Sequence, residues 1–98
     1  MGYTLMGIKS FQHKGLEDFF LTGSKRGIQP EHARKLADAL DWLDRAATVN
    51  DMAYPGSFLH PLKGNLKGLW SVRISGNWRL IFKFENGDAY IVTYVDYN

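Results

Sequence analysis

The sequence predicts an α+β fold in a single domain, helices first and an antiparallel sheet after them, and three observations carry that reading. Apolar residues recur at spacings of three and four from Leu16 to Ala47, alternation with a period of two takes over from Trp70 onward, and residues 48–57 follow neither rhythm. The 98 residues suffice for one hydrophobic core and rarely for two, so residues 1–98 are read as one domain. A chain that is 45% hydrophobic and 22% charged lies far from the composition of disordered segments. Zero cysteines exclude a disulfide scaffold, a thiolate zinc site and a cysteine nucleophile, and suit a reducing cytoplasm, which is the expected location. The N-terminus lacks a basic stretch followed by an apolar one, and no apolar run approaches the roughly 18 residues that cross a bilayer. Neither secretion nor a membrane partner is expected.

The elements follow in order. Gly7 to Phe11, with Ile8 and Phe11 as its strongly apolar members, is read as a short strand. From Lys14 to Leu21 the set Leu16, Phe19 and Phe20 falls at i, i+3 and i+4, and Gly23 stands where a left-handed residue closes a helix. Pro30 suits a first helical position, and Ala33, Leu36, Ala37, Leu40, Leu43 and Ala47 supply one apolar face, so a helix is expected from Pro30 to about Ala46. Its other face carries Glu31/Lys35, Arg34/Asp38 and Asp41/Arg45 at i, i+4, an ordinary solvated surface. Asn50, Asp51, Pro55 and Gly56 break periodicity between Thr48 and Ser57, which reads as a loop. Trp70, Val72 and Ile74 then alternate with Ser71, Arg73 and Ser75. After a tight turn at Ser75-Gly76, Trp78, Leu80, Phe82 and Phe84 alternate with Arg79, Ile81 and Lys83. Asn86-Gly87 is the dipeptide of a two-residue hairpin, and Ala89 to Tyr97 supplies the last strand.

The net charge is only +2, yet the signs are segregated. The 32 residues from Ala53 to Phe84 hold Lys63, Lys67, Arg73, Arg79 and Lys83 and no Asp or Glu, whereas Asp38, Asp41, Asp44 and Asp51 cluster just before. A basic segment of this kind suits a polyanion, because Lys and Arg neutralise phosphates and release counterions. It also suits a solvated strand face guarded by charge, and both readings stay open on charge alone. Alternation puts Arg73, Arg79 and Lys83 on the polar face of neighbouring strands. Tyr90, Tyr94 and Tyr97 on the last strand either stack on unpaired bases or pack across the sheet. His13, His32 and His60 have no metal-ligand spacing, and no HExxH, carboxylate pair or Gly-rich phosphate loop occurs, so neither metal nor cofactor is expected. His60 differs from the other two in opening His60-Pro61-Leu62-Lys63-Gly64, a rigid turn that leads into the basic strands.

The segments Ile8-Lys9-Ser10-Phe11, His60-Pro61-Leu62-Lys63-Gly64, Trp70-Ser71-Val72, Asn77-Trp78-Arg79, Gly87-Asp88-Ala89-Tyr90 and Asp96-Tyr97 come in the order and approximate spacing of HigB toxins. The chain resembles this family, part of the RelE/ParE superfamily and also labelled plasmid-maintenance killer proteins, from Gly7 onward. Family members start near Met6, so residues 1–6 are read as an upstream start or a disordered extension. The resemblance implies a RelE-like fold of the microbial-ribonuclease type, with helices on a curved antiparallel sheet. It implies an mRNA-cleaving endoribonuclease toxin of a type II toxin-antitoxin system that inhibits translation, acting in the ribosomal decoding site and silenced by a HigA-like helix-turn-helix antitoxin.

By the same resemblance His60, Arg79, Asp96 and Tyr97 are the catalytic residues and Lys63 is RNA-binding; the basic segment adds Lys67, Arg73 and Lys83 as RNA-binding residues, and the Asn98 amide is a further RNA contact. RNA cleaves itself once its 2′-hydroxyl is deprotonated, charge at phosphorus is stabilised and the departing 5′-oxygen is protonated. Arg79, with Lys63, would hold the scissile phosphate; His60 would act as acid or base, Asp96 as base or orienting group, and Tyr97 as a stacking or proton-donating ring. The family's tail is Asp-Tyr-His, and this chain has Asn98 at the last position; an amide hydrogen-bonds RNA but cannot exchange protons. Two other classes compete: a ParE-like poison of DNA gyrase, which His60 and Asp96 argue against, and a toxin weakened at Asn98 that persists as an antitoxin-binding module.

Overall fold

The computed structural model describes residues 6–97. Two helices, α1 (Lys14–Thr22) and α2 (Ala33–Arg45), precede a four-stranded sheet of β1 (His60–Pro61), β2 (Trp70–Ser75), β3 (Trp78–Glu85) and β4 (Asp88–Asp96). All neighbours pair antiparallel in the order β1-β2-β3-β4. The expected α+β meander is therefore present, and residues 1–5, most of the expected extension, lie outside the described residues, as does Asn98. Among the described residues no helix is long and apolar enough to cross a membrane.

The helices form where apolar spacing and end chemistry agree. His13 stands at the N-cap of α1 and its Nδ1 accepts the Leu16 N–H at 2.9 Å, while Gly23 closes the helix at φ +83 with its N–H on the Phe19 carbonyl. Pro30 opens the second helical stretch with one 3-10 turn, Pro30–His32, which runs directly into α2. The buried stripe of α2 is Leu36, Ala39, Leu40, Leu43 and Asp44; Ala37 and Ala47 face solvent. Ala37 lies about 100° around the helix from Leu36, on the edge of the stripe, so small size rather than burial suits it. Asp44 continues that stripe and is buried because its Oδ1 accepts the N–H groups of Gly7 and Ile8 at 3.0 and 3.1 Å.

Those two bonds tie the N-terminal segment to α2, and its other side pairs with β4. The expected strand at 7–11 is realised as two parallel bridges, Ile8 with Ala89 and Phe11 with Val92, held by four backbone bonds of 2.7–3.1 Å. Gly7 permits this approach, since a Cβ there would stand 2.5 Å from the Asp44 carbonyl oxygen. The loop expected at 48–57 contains a 3-10 turn, Val49–Met52, fixed by a reciprocal capping box between Thr48 and Asp51 that buries Met52. His60–Pro61, read as a turn, also forms a two-residue strand against Trp70 and Ser71.

In the sheet, Val72, Ile74, Leu80, Phe82, Ala89, Val92 and Tyr94 face the helices and complete the core with Ile8, Leu16, Leu36, Leu40, Leu43 and Met52. The β2-β3 loop is Gly76-Asn77, one residue later than expected, because Ser75 pairs with Trp78 and Ile74 is accommodated as a bulge. The β3-β4 loop is Asn86-Gly87 as expected, with φ of +53 and +82, the doubly left-handed pair that Asn-Gly tolerates best. A second bulge sets Ile91 and Val92 of β4 against Phe82 alone, with Ile91 at φ +48.

Candidate active site

The candidate site lies on the sheet face turned away from the helices, at the end where Gly76-Asn77 joins β2 to β3. Arg73 and Arg79 are direct cross-strand partners, so two guanidinium groups share this face side by side. Like charges placed opposite one another destabilise a sheet, and among the described residues no ion pair joins either arginine to a carboxylate. Among the described residues, Arg79 Nε and Nη1 are buried and find no hydrogen-bond partner. A buried, charged donor without an acceptor is costly enough to be rare, and an anion in the cleft above it is the simplest partner. Arg73 is exposed, with Nε donating to the Gly76 carbonyl at 3.3 Å.

The cleft itself has a volume of about 470 Å³ and is lined by Phe58, His60, Arg73, Gly76 and Arg79. His60 reaches it from β1, where it pairs with Ser71 and so shares the parity of Arg73 and Arg79. Its imidazole is exposed, with Nδ1 3.2 Å from the Phe58 carbonyl oxygen. A carbonyl only accepts, so that contact places the hydrogen on Nδ1 and leaves Nε2 as a free acceptor in the neutral ring. Ser71 Oγ, buried on the same face, also has no hydrogen-bond partner among the described residues.

The structure does not gather every residue named from the sequence. Arg73, Arg79 and His60 meet. Tyr97 shares their parity, since Val95 pairs with Arg79, and its N–H donates to the Asn77 carbonyl at 2.8 Å beside the cleft. Asp96 pairs with Trp78 and has the opposite parity, that of Tyr94 and the helices. Lys63 and Lys67 flank the exposed 3-10 turn Gly64–Leu66 at the other end of β2, and Lys83 lies toward that end because Trp70 pairs with Phe82. Arg73 and Arg79 thus stand at one end of the sheet, and Lys63, Lys67 and Lys83 belong to segments at its other end. Lys83 Nζ is 3.9 Å from Glu85, which offsets part of its charge.

Of the three tyrosines, Tyr94 is core: only 2% exposed, its hydroxyl bonded to His32 Nδ1 and its ring packed on Trp78 at 4.6 Å between centroids. Burial pushes its phenol above the ordinary value, the charge of Glu31 adding to the rise against a backbone hydrogen bond at Gln29. Tyr90 stays half-buried on the outward face opposite Lys83. Among the described residues no three His, Asp or Glu side chains are grouped to hold a metal ion.

Sequence reasoning missed Phe58 and Ser71. Phe58 is 63% exposed with φ +48, and the Arg73 Cζ lies 5.8 Å from its ring centre. A left-handed backbone costs such a residue about 1–2 kcal/mol, and nothing in the spacing of a loop residue announces it. Its origin is visible in the ladder. The Arg73 N–H donates to the Ser57 carbonyl at 2.7 Å and His60 pairs with Ser71, so Phe58 and Leu59 together span the single residue Val72.

Comparison with known proteins agrees with this architecture. Residues 9–98 match the family described as the RelE-like toxin of the type II toxin-antitoxin system HigB. The chain is 42% identical over 91 residues to the Endoribonuclease HigB of Proteus vulgaris, covering 93% of this chain and 99% of that protein. It is 35% identical over 88 residues to Toxin HigB-1 of Vibrio cholerae serotype O1, covering 88% and 92% of the two chains. The fold is that of Staphylococcus aureus YoeB in its complex with YefM, at a TM-score of 0.62 and 19% identity over 93% of this chain and 95% of that one. Fold and sequence together show that this chain belongs to the RelE-like HigB toxins of type II toxin-antitoxin systems.

Proposed function

We propose that this endoribonuclease toxin cuts mRNA in the ribosomal decoding site by acid-base transesterification carried by its own side chains. The observation that carries the reading is the unpartnered, buried edge of Arg79, set against Arg73 in the lining of an open cleft that His60 borders. A guanidinium fork matches two phosphate oxygens, and its stabilising effect grows as charge accumulates at phosphorus in the transition state. His60 Nε2 takes the 2′-hydroxyl proton. The 2′-oxygen then bonds to phosphorus as the bond to the 5′-oxygen breaks, which leaves a 2′,3′-cyclic phosphate and a 5′-hydroxyl that receives a proton. Tyr97, on the arginine face, is the proposed donor or stacking ring for the leaving side. Asp96, on the other parity, takes the orienting role at the end of β4.

Lys63, Lys67 and Lys83, on segments at the other end of the sheet, hold further phosphates of the RNA backbone. Asn98 follows Tyr97 as a hydrogen-bonding contact and lies outside the described residues. A HigA-like helix-turn-helix protein is the proposed antitoxin; YoeB, which shares the fold, occurs in a complex with YefM. Mapping 5′ ends in a reconstituted translation reaction tests the reading. New ends inside translated codons, seen only with ribosomes and lost with Arg79→Ala, are expected. Intact mRNA from the folded wild-type protein would overturn it, and ends formed equally without ribosomes would remove the ribosome from it.

A further inference from the structure

We infer that Phe58 and Arg73 form a nucleobase subsite beside the scissile phosphate, with the Phe58 ring as the stacking platform and the Arg73 guanidinium holding it in place. The inference rests on the RNA-cleaving function proposed above and adds what the cleft recognises besides phosphate. Phe58 is 63% exposed, yet it is fixed rather than loose: its backbone is held at φ +48 between two paired positions, and Arg73 lies 5.8 Å from its ring centre. A large ring held out from the core by a bulge has no packing role that would explain its place. Its neighbours in the cleft are His60 and Arg79, the groups assigned to proton transfer and phosphate, so a nucleotide seated on Arg79 brings its base within reach of the ring.

Stacking needs only a π face on the base, so this subsite favours a base over no base and a purine over a pyrimidine, without reading hydrogen-bonding edges. The contact tightens binding by about 5- to 150-fold per base. Phe58 is therefore a substrate-positioning residue, separate from the proton-transfer groups.

The test is an NMR titration of the full chain with adenosine 3′-monophosphate and, separately, ribose 5-phosphate, read at the amides of His60, Arg73 and Arg79. Wild type is expected to bind the nucleotide at least about fivefold more tightly than the sugar phosphate. In Phe58→Ala that ratio is expected to fall to about one while the affinity for ribose 5-phosphate is unchanged, and Phe58→Trp is expected to retain the ratio. Phe58→Gly, which accepts φ +48 without strain, serves as a second deletion variant if the alanine chain fails to fold. A ratio of one in wild type, or a ratio that survives in Phe58→Ala or Phe58→Gly, overturns the inference. Cleavage in the translation assay with a ratio of one removes the subsite alone. A base-dependent ratio without cleavage keeps the subsite and removes the ribonuclease reading.

Discussion

In its proposed role as phosphate ligand, Arg79 makes opposite demands on stability and on activity. Its buried Nε and Nη1 lack partners and Arg73 faces it across the ladder, so the folded chain gains little from its charge. Arg79→Ala is expected to leave the melting temperature unchanged or higher while cleavage falls by at least about 100-fold. A thermal melt beside the cleavage assay reads both, and a lower melting temperature would mark Arg79 as a structural residue. Tyr94 is the converse case, a tyrosine on the last strand whose hydroxyl serves the core. Tyr94→Phe strands the buried His32 Nδ1 and is expected to cost about 1–3 kcal/mol in urea unfolding with cleavage retained. Because the folded phenol titrates above its ordinary value, its contribution is complete below about pH 10 and is lost as the pH rises through the folded value. Alkaline destabilisation should be smaller in the phenylalanine variant, and equal loss in both would place its source elsewhere.

At the level of elements, end chemistry and bulges decide where chains stop and which way side chains point. The short turn at Val49–Met52 depends on Asp51, whose carboxylate is held below the ordinary value first by the Thr48 N–H and then by the Ala47 N–H. A lowered folded value means that Asp51 stabilises the fold fully above about pH 3.9 and less as the pH falls through the folded value. Asp51→Asn should therefore be less stable than wild type near neutrality, and the gap should close as the solution is acidified below about pH 4. Urea unfolding across that range checks it; a gap that persists in acid would show that the charge is not the cause. The bulge at Phe58 acts differently: without the extra residue, Phe58 would keep strand geometry and lose its place beside Arg73.

Across the whole molecule, a single carboxylate joins layers far apart in sequence. Asp44 on α2 accepts the Gly7 and Ile8 N–H groups, and the same segment pairs with β4 through Ala89 and Val92, so helix, arm and sheet edge close together. Asp44→Ala leaves two buried N–H groups without their acceptor. It should cost about 1–3 kcal/mol and raise hydrogen exchange most at Lys9 and Gln12, whose N–H groups bond to β4. Uniform exchange across the chain would show that the arm does not open as a separate unit. The site is at the far side of the sheet from this tie, so cleavage should survive in whatever fraction remains folded.

The sequence by itself determined the class of fold, both helices, the two hairpins and the basic segment, because periodicity, caps and Asn-Gly chemistry act over a few residues and are written locally. It also assigned Arg73 and Arg79 to one sheet face, since alternation alone assigns a strand residue to a face, and the family resemblance named His60 and Arg79 as candidates for the site. Only the tertiary structure decided the rest. Register separated Lys83 from the arginines and set Asp96 on the other parity. A bulge turned Phe58 into the cleft, and Asp44, written like any surface carboxylate, proved to be an acceptor in the core. These outcomes depend on which residue of one element meets which residue of another, and pairing between residues 11 to 37 positions apart leaves no trace in the spacing of neighbours.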